Sequence, residues 1–200
     1  LRDHVHGRIY RSTYPSRDLV KPADVDGASV ATLLENLKLP EYRSRYRSRR
    51  ELREHPVAEV LPAVKKWVAG LDKSDPSHSH HKLEALWVTW GMDAVDTDLA
   101  QELLKSDDFH VCAAAVRVLR YNFERFPDAL DLLKQAAADE HGRVRLEAVV
   151  AATWYDKQEA LEAVNNAQDM GTDKWSKQVV KSAAARIQGK VEKKEEENPM

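Results

Sequence analysis

One short pattern recurs along this chain and constrains its fold more than any other feature. Lys82-Leu83-Glu84-Ala85-Leu86-Trp87 and Arg145-Leu146-Glu147-Ala148-Val149-Val150 read as two copies of one helix start. Cys112-Ala113-Ala114-Ala115-Val116-Arg117 reads as a third, and Arg47-Ser48-Arg49-Arg50-Glu51-Leu52 as a weaker fourth. Counting from Arg47 to Lys82, Cys112 and Arg145 gives steps of 35, 30 and 33 residues. A period of this size marks a stacked helical array, in which no single unit buries its own apolar face. Such an array favours a binding or spacing surface over a self-contained active site.

The helical period starts near Ser29, where Val30, Leu33, Leu34 and Leu37 fall on one stripe that Pro40 ends. An arginine-rich stretch from Tyr42 to Glu54 follows. Val57, Val60, Leu61, Val64, Trp67, Val68 and Leu71 continue at helical spacing. Pro62 is expected to kink this run or to mark its true start, because it lacks the amide donor. The next unit pairs a helix from about His81 to Trp90 with one from Asp98 to Lys105. Asp98 and Gln101 form a candidate capping box there, and His81 is a candidate cap. Further helices are expected over 111–123, 128–138, 143–155 and 158–167. A final helix, expected after the Met170-Gly171 break, carries Trp175, Val179, Ala183 and Ile187 on one face.

The amino-terminal stretch differs. Gly7 to Tyr14 alternates polar or basic groups with β-formers and is expected to be one extended strand, needing partners from elsewhere. The expected division is an extended arm over 1–26, a repeat domain over 27–189, and a disordered charged tail over 190–200.

Bulk composition removes several function classes. A net charge of -2 with 32% charged residues creates no global field for nucleic acid or an anionic membrane. No apolar run approaches the length of a membrane span, so no membrane insertion is expected. The single cysteine excludes an internal disulfide and any multi-cysteine metal site. Within its Ala/Val-rich helix, Cys112 is expected to be a buried, inert thiol. The chain opens on Leu1 without a signal-peptide pattern, which fits a mature form or a segment of something larger.

Arg43, Arg45, Arg47, Arg49, Arg50 and Arg53 are the loudest charge feature. On a helix, Arg43, Arg47 and Arg50 share one face and form the candidate anion or partner site. Arg45, Arg49 and Arg53 share another. The nearby Glu41, Glu51, Glu54 and Glu59 favour structural ion pairs and a solvated face over phosphate binding. His78, His80 and His81, with His4 and His6, have imidazoles suited to a metal, but no carboxylate or cysteine stands at ligand spacing. Trp67, Trp87, Trp90, Trp154 and Trp175 fall on or near apolar stripes and are expected in the core. No phosphate loop, nucleophile elbow or haem-attaching motif occurs, so no catalytic, cofactor or metal residue is assigned.

Dense alanine in the inner helices, notably Ala113, Ala114, Ala115, Ala148, Ala151 and Ala152, permits close approach of helix axes. Ala114→Arg is therefore expected to disrupt a helix interface. Acidic turns at Asp107-Asp108 and Asp139-Glu140, each followed by valine and then small residues, resemble the HEAT-repeat pattern. The fold class expected is all-α, a right-handed α-solenoid of HEAT-like repeats with a short N-terminal β-strand arm.

A longer resemblance rests on His6-Gly7-Arg8-Ile9-Tyr10-Arg11 and Leu37-Lys38-Leu39-Pro40-Glu41-Tyr42-Arg43, then on 80–87, 116–121, 127–130 and 139–149. In that order these blocks resemble the putative membrane-bound dehydrogenases of Planctomycetes-type bacteria, which join a β-propeller, HEAT repeats and a cytochrome c. Gly142 departs from the family, which usually has proline there. The resemblance implies a non-catalytic scaffold without a cofactor of its own, a spacer between propeller and haem domain in a secreted or periplasmic protein. Partners would be domains of the same parent chain or another protein. The alternative is a nucleic-acid-binding HEAT protein of the DNA-glycosylase type, using the arginine stretch on phosphates.

Overall fold

The computed structural model describes residues 6, 7, 9, 10, 12, 14–16, 18–155, 158–167 and 173–189. Among these residues the chain forms ten α-helices and one short 3-10 turn, and no strand. In order they are α1 (Val30–Asn36), α2 (Tyr42–Leu52), α3 (Val57–Ala69), α4 (His78–Gly91) and α5 (Thr97–Leu103). Then come α6 (Phe109–Arg120), the turn Phe123–Arg125, α7 (Ala129–Ala137), α8 (Gly142–Ala152), α9 (Ala160–Asn166) and α10 (Lys174–Ile187).

The helices alternate between two layers, as the repeat requires. In one layer α2, α4, α6, α8 and α10 pack side by side, each against the next. The intervening helices lie across them, with α1 against α3 and α7 against α9. One continuous core runs between the layers, from Val30 in α1 to Ala183 in α10. Small residues sit where α6 and α8 meet: Ala115, Ala148, Ala151 and Ala152 are all fully buried. Side chains of this size let the two axes approach closely while Val116, Leu119 and Val149 fill the remaining space. The arrangement is a helical solenoid.

Short polar side chains fix several helix starts. The Ser29 Oγ accepts from the Thr32 amide at 3.2 Å, Asp108 from the His110 amide at 2.9 Å, and Asp173 from the Trp175 amide at 2.7 Å. The start of α5 is capped by Asp96, which accepts from the Leu99 amide at 3.0 Å; Asp98 lies two residues on, within the first turn, and is not the cap. A carboxylate in either place favours the dipole, but only the extended backbone of Asp96 aims its oxygen at the free amides. Helix α4 begins three residues before the expected His81, which lies buried inside it rather than capping it. Pro62 is inside α3, not at its start. Its missing donor falls on an exposed position.

Helix α4 ends on a left-handed residue, Asp93, at φ 56°. The conformation closes the helix end, since the Ala94 amide donates back to the Thr89 carbonyl at 2.9 Å. Glycine is the usual residue there; Arg125 holds the aspartate instead, donating to its carbonyl at 3.0 Å and pairing with its carboxylate.

No strand of the expected β-strand arm is seen among the described residues. Gly7, Ile9, Tyr10, Ser12 and Tyr14 are described and carry no strand; Ile9 and Tyr10 are 102% and 80% exposed. A lone strand has no ladder partner and buries no apolar face, so its alternating pattern cannot be expressed. Arg8, Arg11 and Thr13, and the tail expected over 190–200, lie outside the described residues. Ala114, expected at a tight interface, is only half-buried, whereas its neighbour Ala115 is fully buried.

Candidate interaction groove

Two glutamates of the repeated Leu-Glu-Ala motif organise the layer formed by α2, α4, α6 and α8. Glu84, in α4, is fully buried. It accepts from Arg45 Nε at 2.8 Å and from Arg49, both on α2, and lies 3.3 Å from His80 Nε2 one turn earlier. Burial alone would raise the Glu84 carboxyl. The hydrogen bond to His80 and the guanidiniums of Arg49 and Arg45 outweigh burial and hold it below the ordinary glutamate range. Glu147, in α8, accepts from Arg117 of α6 at 3.0 and 2.8 Å, with Arg120 and Arg143 each 3.5 Å away. Each buried acid therefore ties its own helix to the preceding one of the layer.

A second arginine contact fixes the register of the first repeat. Arg145 Nη1 donates to the carbonyls of Asp139 and Glu140 at 2.9 and 2.8 Å. Arg45 Nη1 makes the same bonds to Leu39 and Pro40 at 2.7 and 2.8 Å, with the same offset along the chain. Arg45, not Arg47, is thus the counterpart of Arg145. The expected alignment of the weak fourth copy was off by two residues, because the true match uses turn carbonyls rather than a side-chain motif.

Aromatic side chains cover the same layer. Trp90 stacks on Tyr121 with ring centres 5.6 Å apart, and Tyr121 meets Trp154 edge-on at 5.1 Å. The Arg120 guanidinium lies over both Tyr121, at 4.6 Å, and Trp154, at 5.4 Å. At the other end Arg49 lies over Trp87 at 4.9 Å, and Tyr42 stacks on Tyr46 at 6.2 Å. Tyr42, Tyr46, Tyr121 and Trp154 remain exposed. Of the five tryptophans expected in the core, Trp154 and Trp175 are exposed and Trp67, Trp87 and Trp90 are half-buried. Helical spacing placed them near the stripe but could not tell its centre from its margin.

Two hollows open on this surface. The first, about 470 Å³, lies between α2 and α4 and reaches Arg117 of α6. Arg49, Arg50 and Arg53 line one side, Trp87, Trp90 and Gly91 the other. A Cβ at position 91 would stand 2.7 Å from Arg53 Nε, so the glycine lets that guanidinium lie flat on α4. The second hollow, about 660 Å³, lies at the ends of α6 and α8, with Arg120, Tyr121 and Trp154 on its wall.

Of the three arginines singled out in the sequence, Arg50 lines the first hollow; Arg43 and Arg47 are exposed and do not line it. The other face, Arg45, Arg49 and Arg53, is the one turned towards α4. Arg45 and Arg49 are committed to Glu84 and cannot also serve phosphates. The aromatic wall was missed. Its sequence signal is a recurring ring past each motif: Trp90 stands eight residues after Lys82, and Tyr121 and Trp154 stand nine after Cys112 and Arg145.

The remaining candidates have structural surroundings. His80 belongs to the Glu84 network, and His81 is buried 3.7 Å from Asp75; burial holds its imidazole below the ordinary range. Among the described residues, no three His, Cys, Asp or Glu side chains are placed to share a metal ion. Cys112 is buried and donates to the Leu104 carbonyl at 3.1 Å, and burial pushes its thiol up to about 11, far from thiolate reactivity. No described helix is long and apolar enough to cross a membrane.

No curated protein and no solved structure matches the chain. A family model described as HEAT repeats matches residues 97–187, from the start of α5 to the end of α10. The acidic turns, the alanine-lined α6–α8 contact and the Arg117–Glu147 tie all lie inside that stretch, and HEAT-repeat content is thereby established for it.

Proposed function

We propose that this protein is a non-catalytic interaction scaffold whose working surface is the aromatic and arginine face across α2, α4, α6 and α8. The observation that carries this reading is the run of rings from half-buried Trp90 to exposed Tyr121 and Trp154, braced by Arg120. Tryptophan, tyrosine and arginine are the residues that dominate binding energy at protein interfaces. Here they form one surface rather than scattered positions. HEAT repeats suit the role, because a stack whose units touch only their neighbours presents a long semi-rigid face. No cofactor enters this reading.

Site-specific photocrosslinkers test it. Placed at Tyr46 and Trp154 they are expected to capture the same partner protein, while those at Val57 on α3 and Trp175 on α10 capture none. Products from Val57 and Trp175, with the groove positions silent, would move the working surface elsewhere.

The finer reading follows from the family resemblance: a spacer between a propeller and a haem domain in a secreted redox protein. The intact mass of the native protein, with peptide sequencing past both ends, tests that form separately. Propeller peptides before Leu1 support it. A native mass near the 22.7 kDa of this chain removes it and leaves the scaffold role intact.

A further inference from the structure

The two hollows of the working surface differ in charge. Asp93 and Glu124 stand on the wall of the second and offset Arg120 and Arg125. The first is lined by Arg49, Arg50, Arg53 and Arg117, and no carboxylate lines it. Arg49 and Arg117 are held by Glu84 and Glu147. Arg50 and Arg53 are exposed and have no ion pair with any described residue. Two guanidiniums therefore face a groove with their charge unanswered, in a chain whose net charge is -2. Beside them, Tyr46 and Trp90 supply flat apolar surface.

We propose that the groove between α2 and α4 binds an extended acidic segment of a partner protein. Its carboxylates pair with Arg50 and Arg53, and its apolar side chains lie on Tyr46 and Trp90. Guanidinium matches carboxylate in a bidentate fork, and the contact against Gly91 holds Arg53 in place before the ligand arrives. The absence of lining carboxylates removes the repulsion that such a segment meets in the second hollow. A nucleic acid fits less well, since it requires cations continued along a strand, and Asp93 and Glu124 interrupt that path.

This inference rests on the scaffold reading and specifies its ligand. The probe is a fluorescein-labelled peptide of about ten residues alternating Glu and Tyr, followed by anisotropy with the full chain. Saturable binding is expected, at least about tenfold weaker when Gln replaces Glu in the peptide. Arg50→Glu with Arg53→Glu is expected to abolish it and to create binding of a Lys and Tyr counterpart. Arg43→Glu with Arg47→Glu leaves it nearly unchanged, because those side chains do not line the groove. Should the double reversal unfold the chain, Arg53→Gln alone serves, with an expected loss of about threefold. Equal binding of the Gln peptide, indifference to the Arg50 and Arg53 changes, or tighter binding of single-stranded DNA of equal length would each overturn the proposal. If the acidic peptide fails while crosslinkers at Tyr46 and Trp154 still capture one protein, the ligand class falls and the scaffold survives. If the crosslinks come from Val57 and Trp175, the surface itself was wrong.

Discussion

Glu84 and Glu147 occupy the same place in the same motif, yet their surroundings differ. Glu84 has no exposed surface, and the two arginines it binds are nearly as well covered. Glu147 is 7% exposed, but two of its three arginines, Arg117 and Arg143, are about half-exposed, at 47% and 52%. The motif sets where the acid lies. The preceding helix decides how far water is excluded, since α2 brings Arg45 and Arg49 over Glu84 while α6 leaves Arg117 at the edge. One junction is a sealed clasp and the other an open one. A sealed ion pair is costly to break from one side, whereas a screened one contributes little.

The comparison predicts unequal damage. Glu84→Ala strands two covered guanidiniums and is expected to cost about 3–5 kcal/mol, read from chemical denaturation. Glu147→Ala should cost less, about 1–2 kcal/mol, because Arg117 and Arg143 recover water. Equal losses would show that exposure does not separate the two clasps.

Acid sharpens the same contrast. The Glu84 carboxyl titrates below its ordinary value of 4.5, so the folded state prefers it ionised. Its stabilisation is present in full above 4.5 and is lost as pH falls through the lower folded value. His81 acts at a higher pH in the same helix. Its folded value lies below the ordinary 6.5, so stability falls as pH drops below 6.5 and a buried imidazole must charge. Melting temperatures of the parent, Glu84→Gln and His81→Phe between pH 7 and pH 3 check both. His81→Phe should flatten the upper part of the decline, and Glu84→Gln the lower part. A parent chain insensitive to pH across that range would contradict both assignments.

Much of the array is legible in the sequence. Alternating helices, the starts near Ser29 and Asp108, and the inert Cys112 all follow from local pattern, because apolar spacing and a cap are properties of adjacent residues. Features that depend on distant partners were not legible. Arg45 and Arg49 became clasp residues only when α4 delivered Glu84 from 39 and 35 positions away. The exposed state of Trp154 depends on where α8 ends against its neighbours. The strand expected over 7–14 is not seen among the described residues, for the same reason: alternation describes one half of a pairing, and no second half is present among them.

The smallest expected effect asks whether the clasp follows a rule. Ala114 stands in α6 where Glu84 and Glu147 stand in α4 and α8. At the positions where α6 has Arg117 and Arg120, five and eight residues after the motif begins, the preceding α4 has Trp87 and Trp90. The acid is thus missing in α6, where the helix before it offers tryptophan there, and present in α8, where α6 offers arginine; Glu84 is held instead by Arg45 and Arg49, at other positions of α2. If partner identity sets the rule, Ala114→Glu alone should destabilise by about 1 kcal/mol, its half-buried carboxylate facing rings instead of cations. In a Trp87→Arg background the same change should be nearly neutral. That change also removes the ring beneath Arg49, which lowers both variants of that background alike and cancels in a double-mutant cycle. A favourable coupling of about 1 kcal/mol would make arginine followed by glutamate the rule that ties successive helices of this layer. A coupling near zero would mean that the alternation of tryptophan with alanine is set by packing volume, because the ring fills space that a small residue leaves empty and charge has no part in it.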